Sequence, residues 1–282
     1  MIAPPFLLPS STTPHLRVFM KRFSASLVIS CLLFTASHSA WADNMLPVSP
    51  LLKNEGGSSD AWSVSVSPYI WASGIRGKVG QFGQPPARLN SSFSDVMSEL
   101  DLAFMGAVEA RHGRFSLLGD VMYSQLSADG STDYGILSRS VEVKSKSFSG
   151  FFGAGYTVLE SDNGHLDVIG GGRLWYASTE IALKGGALGG RSRTDSATWV
   201  DAVAGLRGQY ALNEHWYLTG WGVIGAGQAK LDWDATAALG YQFKSNLSAM
   251  LGYRALGVNF NRNGFVYNVV QQGPILGFAY RF

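Results

Sequence analysis

Three histidines follow residue 42: His112, His165 and His215. Histidine is the side chain most often used as a general base, so hydrolytic chemistry would have to recruit one of them. Asp232 and Asp234 form an acid pair on one strand face. Such a pair reads as part of a divalent-cation site or as half of a water-activating acid pair, but alone it lacks the roughly 6–8 oxygen ligands that calcium takes. The runs Gly150-Phe151-Phe152-Gly153-Ala154-Gly155 and Gly222-Val223-Ile224-Gly225-Ala226-Gly227 are spaced like nucleotide loops, which must leave a strand and open a helix. Cys31 is the single cysteine, so neither an intramolecular disulfide framework nor a cysteine-built metal site is available. A further set of charges, Glu109, Arg111, Asp120, Asp167, Arg173, Asp201, Arg207 and Arg254, could pair with one another wherever the fold gathers them.

The elements that must position these residues are strands. Period-two alternation recurs in ten segments, at 61–73, 99–112, 114–127, 141–158, 165–178, 196–211, 215–228, 231–244, 246–259 and 266–282. One face of each is apolar with aromatics near its ends, and the other mixes charge with Gly, Ala and Ser. In the fourth segment Val141 and Val143 fall out of phase with Phe148, Phe152 and Tyr156, for which a bulge is expected. The segments exceed the usual strand of about 5–6 residues and meet the ~9–11 that a tilted membrane strand requires. The fold expected is an all-β, transmembrane, antiparallel up-and-down barrel of about ten strands. Eight or twelve remain alternatives, because 75–79 and 87–93 could extend a strand or add a hairpin. Connections alternate between tight turns and longer stretches at 74–98, 128–140 and 179–195, the asymmetry of bacterial barrels, which places both termini in the periplasm.

This architecture sorts the chemistry. The glycine runs lie inside strands, where glycine permits curvature and close packing, not nucleotide binding. All three histidines fall at the tight turns, away from Asp232 and Asp234, which read as solvated rim acids beside a short outer turn. The eight charges share the inward phase with no net charge, and such ions are costly to bury unless paired. They read as a lumen network, with Trp71, Trp175 and Trp199 obstructing what space remains. Little conductance, no catalytic residue, no metal site and no cofactor are expected. The alternatives are a narrow solute channel, or a barrel hydrolase or lipid-A-modifying enzyme working through Asp234 or His165. Outward aromatics should form girdles, with Trp62, Tyr156, Tyr210, Trp216, Tyr241 and Phe282 toward the periplasm and Tyr123, Tyr176 and Trp233 toward the outer rim.

Composition agrees with export and insertion. Of the 282 residues, 46% are apolar and 15% charged, against roughly 25% charged in an average soluble domain. The near-neutral charge of +2 excludes the strongly basic surface of a nucleic-acid binder. Residues 1–42 read as an upstream extension and a cleaved signal peptide, with Met20 as the expected true start, Lys21 and Arg22 ahead of an apolar run, and an Ala40-Trp41-Ala42 end. A lipoprotein box ending at Cys31 is the competing reading. Residues 43–60 read as a periplasmic linker, and 61–282 as the barrel.

The chain ends Phe278-Ala279-Tyr280-Arg281-Phe282. With Phe278, Tyr280 and Phe282 on the lipid face, it resembles the signature that bacterial outer-membrane proteins present to the barrel insertion machinery. Pro68-Tyr69-Ile70-Trp71, Gly252-Tyr253-Arg254 and Gly273-Pro274-Ile275-Leu276-Gly277 add a resemblance to small proteobacterial outer-membrane barrels, loosely of the OmpA or OmpW type, over about 62–282. The resemblance implies the fold and the outer membrane, whose lipid and lipopolysaccharide are the expected partners. It supplies no catalytic residues and no ligand. The loops at 128–140 and 179–195, rich in Gly, Ser, Thr and Asp, read as solvated surface, with contact of Lys184, Arg191 and Arg193 to lipopolysaccharide phosphates as the alternative.

Overall fold

The computed structural model describes residues 62–131, 140–186 and 189–282. The signal-peptide and linker readings of 1–60 lie outside the described residues. The elements are β1 (Ser63–Trp71), β2 (Gly74–Gly80), β3 (Ala87–Ser91), α1 (Phe93–Ser98), β4 (Leu100–His112), β5 (Phe115–Ser131), β6 (Ser140–Ser161), β7 (Gly164–Lys184), β8 (Ser192–Ala211), β9 (Trp216–Gly227), β10 (Leu231–Lys244), β11 (Leu247–Arg262) and β12 (Phe265–Arg281).

Ten of these strands, β1 and β4–β12, pair in sequence order and antiparallel, and β1 returns to β12 to close the cylinder. The fold is therefore the expected transmembrane-type antiparallel barrel of ten strands. Residues 74–91 add the hairpin that the sequence left open: β2 continues along β12 beyond the break at Ala72-Ser73, and β3 folds back on β2.

Alternation decides which side each residue takes. Trp199 is completely buried while its neighbour Val200 is 51% exposed, and Phe151 is buried while Phe152 is 70% exposed. Ile70, Phe104, Phe115, Leu174, Ile224, Leu251 and Phe278 stand outward among many other exposed apolar side chains. A soluble monomer rarely leaves more than a few hundred Å² of contiguous apolar surface; a barrel in lipid buries this surface in acyl chains. At the end where β1 starts and β12 stops, the end of the barrel's own termini, aromatics on the outer face contact one another: Phe115 with Tyr156 at 4.9 Å between ring centroids, and Trp216 with Tyr241 at 4.9 Å.

Two expectations are corrected. The stretch 179–195 is not chiefly loop, because β7 runs through 179–184 and β8 through 192–195, and at the edges of 128–140 β5 and β6 still pair, with the β6–β7 ladder reaching Ser140 opposite Lys184. Residues 132–139 and 187–188 lie outside the described residues. Strands of 20–22 residues are about twice what a bilayer requires, so these hairpins project well past it. The bulge expected around Val141 is also absent: β5 and β6 pair without interruption from Ser140 to Tyr156, and the irregularity lies at Thr157/Leu159 against β7. Val141 and Val143 sit in the projecting part, where no lipid face dictates phase.

The ladder between β1 and β4 is short. β1 pairs with β4 only from Ser63 to Pro68, opposite Arg111 to Gly106. Proline has no N–H with which to carry a ladder further. Beyond it, Leu100–Met105 of β4 pair with β5 alone among the described residues. α1 leads from β3 into β4. It is held by a capping box in which Ser92 and Asp95 exchange hydrogen bonds, and the bond from the Ser92 amide holds the Asp95 carboxyl below the usual carboxylate range.

Glycine makes close strand contact possible where the wall curves. A Cβ on Gly225 would lie 1.9 Å from the Ala202 carbonyl oxygen, and one on Gly171 would lie 2.2 Å from that of Phe152. Gly222, by contrast, has nothing within 4 Å of its would-be Cβ.

Candidate functional site

The lumen is layered, and the inward residues of β7 give the order. Starting from the end that carries the termini, Asp167 belongs to a charged layer, Ile169 to an apolar one, Arg173 to a second charged layer and Trp175 to an aromatic cluster.

The second charged layer crosses the barrel. Arg254 on β11 donates to Asp234 on β10 (Nη2–Oδ2 2.7 Å, Nε–Oδ1 3.1 Å) and to Asp120 on β5 (Nη2–Oδ1 2.9 Å). Its Nη1 reaches the Tyr69 hydroxyl at 2.8 Å, and that hydroxyl donates to Asp120 at 2.8 Å. Arg173 on β7 bridges Asp232 (2.7 Å) and Asp234 (3.0 Å). Indole N–H groups complete the acids, with Trp175 donating to Asp232 at 2.7 Å and Trp221 to Asp234 at 3.3 Å. Trp71 and Trp221 also pack against the Arg254 guanidinium at 5.5 and 5.3 Å. The five charged side chains are all buried. Charges this deep persist only when paired and fully hydrogen-bonded.

Asp232 and Asp234 are thus not solvated rim acids: they are 0% and 1% exposed. Their inward phase was legible, but their depth was not. The strands around the short β9–β10 turn extend past it, and Trp175, Trp199, Phe260 and Tyr267 gather on that side, with Trp199 and Phe260 stacked at 4.2 Å. The three inward tryptophans, Trp71, Trp175 and Trp199, are all buried in this cluster.

The eight inward charges do not form one network. Asp120, Arg173 and Arg254 join the layer just described. Glu109, Arg111, Asp167 and Arg207 form the other, nearer the termini. There Arg111 holds Asp167 (2.5 Å) and Glu109 (2.9 Å), Arg207 holds Glu109 (2.6 Å), and Thr157 donates to Asp167 (2.7 Å). Asp201 stands apart and accepts from the Ala229 amide at 2.7 Å, fixing the turn after β9. Leu118, Phe151, Ile169, Val203 and Val223 pack between the two charged layers.

Sequence reasoning missed Tyr69, Trp221, Thr157 and Arg281 as members of these layers. Tyr69 and Arg281 occupy the inward phase of strands already recognised, so alternation carried the signal. The donor role of the indoles had none, because it depends on depth. The histidines are kept apart from the acids of the second charged layer: His112, His165 and His215 lie at the end that carries the termini. His165 Nε2 is 3.7 Å from Asp167, itself held by Arg111. No group of three or more metal-ligating side chains occurs among the described residues. Phe278, Tyr280 and Phe282 are all exposed on the outer face, where Tyr280 and Phe282 rings meet at 4.9 Å.

No family model matches the chain, and no curated protein does. Among solved structures, the chain is similar to the outer membrane protease OmpT of Escherichia coli, at 10% identity, over 81% of this chain and 99% of that one, with a TM-score of 0.52. It also overlaps Ail, the attachment invasion locus protein of Yersinia pestis, at 13% identity, over 79% and 99% of the two chains, with a TM-score of 0.35. The translocator domain of the autotransporter NalP from Neisseria meningitidis gives 16% identity, 78% and 88% coverage and a TM-score of 0.37. The first likeness bears on the fold, an outer-membrane-type barrel; the other two overlaps are too partial to argue from.

Proposed function

We propose that the chain is a non-enzymatic integral protein of the bacterial outer membrane, with a closed lumen and a structural or surface-interaction role. The observation that supports this reading is the charged layer of Arg173, Arg254, Asp120, Asp232 and Asp234. It ties β5, β7, β10 and β11 together across the lumen with every carboxylate engaged. An apolar layer lies on one side of it and an aromatic cluster on the other. A hydrolase would need an acid or base free to move a proton; here the acids of this layer are held by guanidinium and indole donors, the histidines stand at the other end, and Asp167, beside His165, is held by Arg111.

Tight turns at the end that carries the termini and longer hairpins at the other support periplasmic termini. The projecting β5–β8 hairpins would then face outward, with Arg191 and Arg193 available to lipopolysaccharide phosphates. Phe278, Tyr280 and Phe282 are the outward aromatics for the insertion machinery. Planar-bilayer recording on the refolded protein tests the closed lumen. The expected result is no stable opening, and discrete openings of porin size would overturn the reading.

A further inference from the structure

The charged layer near the termini is not electrically complete. Arg111, Arg207 and Arg281 converge there, while among the described side chains the carboxylates are Glu109 and Asp167, and both are already engaged. Arg207 spends Nη2 on Glu109, but its Nη1 is shielded from solvent and has no hydrogen-bond acceptor among the described residues. The same holds for Nε and Nη1 of Arg281. Buried donors without an acceptor are uncommon in native proteins and call for an explanation, an unseen ion among them.

The groups line a cavity of about 100 Å³ that opens toward the termini, with His165, Ser65 and Ser67 in its wall. That is several times the roughly 10–15 Å³ needed for one water. Ser65 and Ser67 bring hydroxyls that can donate. Guanidinium groups are the preferred partners of phosphate and carboxylate, to which they give short, charge-assisted hydrogen bonds.

We propose that this cavity is a binding site for a small oxyanion, of the phosphate or carboxylate class, held by Arg207 and Arg281. The anion would neutralise the surplus cation, and a turn of either guanidinium would bring its unused nitrogens from behind the cavity wall to the anion. Behind the cavity stand Leu118, Phe151, Ile169, Val203 and Val223, so the site is a dead end that binds the anion and does not pass it. This inference does not depend on which compartment the termini face.

The test is calorimetric titration of the refolded full-length chain in a zwitterionic detergent, with inorganic phosphate in one arm and acetate in the other. Saturable binding of either anion is expected, and the arm that binds assigns the class. Arg281→Gln should weaken it about tenfold or more, the loss of a charge-assisted hydrogen bond. Arg207→Gln should do likewise, and Arg191→Gln, on the β7–β8 hairpin, should leave it unchanged. Each variant is first checked for the gel shift of a folded barrel on boiling. If Arg281→Gln does not fold, the Arg207→Gln arm and protection of the wild type by phosphate against thermal unfolding decide the matter. Absence of saturable binding in both arms, or binding that survives both arginine substitutions, would overturn the proposal.

Discussion

Replacing Arg254 with methionine removes the guanidinium while keeping much of the side-chain volume. The structure allows the cost to be worked. Arg254 is 2% exposed and contacts Asp234, Asp120 and Tyr69. Asp234 keeps two donors after the change, Arg173 and Trp221. Asp120, 4% exposed, keeps only the Tyr69 hydroxyl among the described residues. One guanidinium would then face three buried carboxylates. Breaking a buried pair by removing one partner costs about 3–5 kcal/mol, because the remaining charge is left uncompensated. Equilibrium unfolding in urea, in lipid vesicles and read by tryptophan fluorescence, should show a loss of that size. Adding Asp120→Asn removes the stranded charge, so the double variant should regain a large part of the loss. The pair should therefore be strongly non-additive, as expected for residues of one network. A loss below about 1 kcal/mol, the range of solvent-exposed ion pairs, would refute the assignment of a dry layer. So would additive single substitutions.

Other outcomes follow from the same geometry. Asp234→Ala should destabilise more than Asp232→Ala, because Asp234 accepts from both arginines and Asp232 from one; urea midpoints on the two variants decide the order. Gly225→Val should prevent barrel formation, seen as loss of the boiling-dependent gel shift, whereas Gly222→Ala should fold, given the open space beside it. The α1 capping box should persist at neutral pH and fail in acid. The Asp95 carboxyl is depressed in the folded state, so its contribution is present above the ordinary carboxylate value and is lost as pH falls through the depressed one. Amide exchange across 93–98 at two pH values measures this, and equal protection at both would contradict it.

Much of the wall was legible in the sequence, because alternation is a local property. Trp199 and Val200 announce opposite faces without reference to any other strand. Depth is not local. Asp232 and Asp234 sit beside a short turn, which alone suggests a rim, and they become buried only because neighbouring strands continue past them and carry Trp199 and Phe260. Partition of the charges into two layers was equally hidden. It depends on how far Asp167 and Arg173, on one strand, stand from the same end of the cylinder, and on which residues of the other strands share each level. The projecting hairpins of β5–β8 were read as loops since Gly, Ser, Thr and Asp there mark polar surroundings, and polar surroundings also suit a ladder standing in water.

The short β1–β4 ladder has a consequence for how the cylinder fails. A closed sheet has no first strand to peel, so heat or denaturant finds no edge to begin from. Here one joint is six residues long, ends at Pro68, and adjoins a strand half without a partner on that side, while the β6–β7 joint runs from Ser140 to Ser161. The seam is the cylinder's built-in fracture line. Opening will start there and travel outward through β4, and the same joint will be the last to zip when the barrel forms.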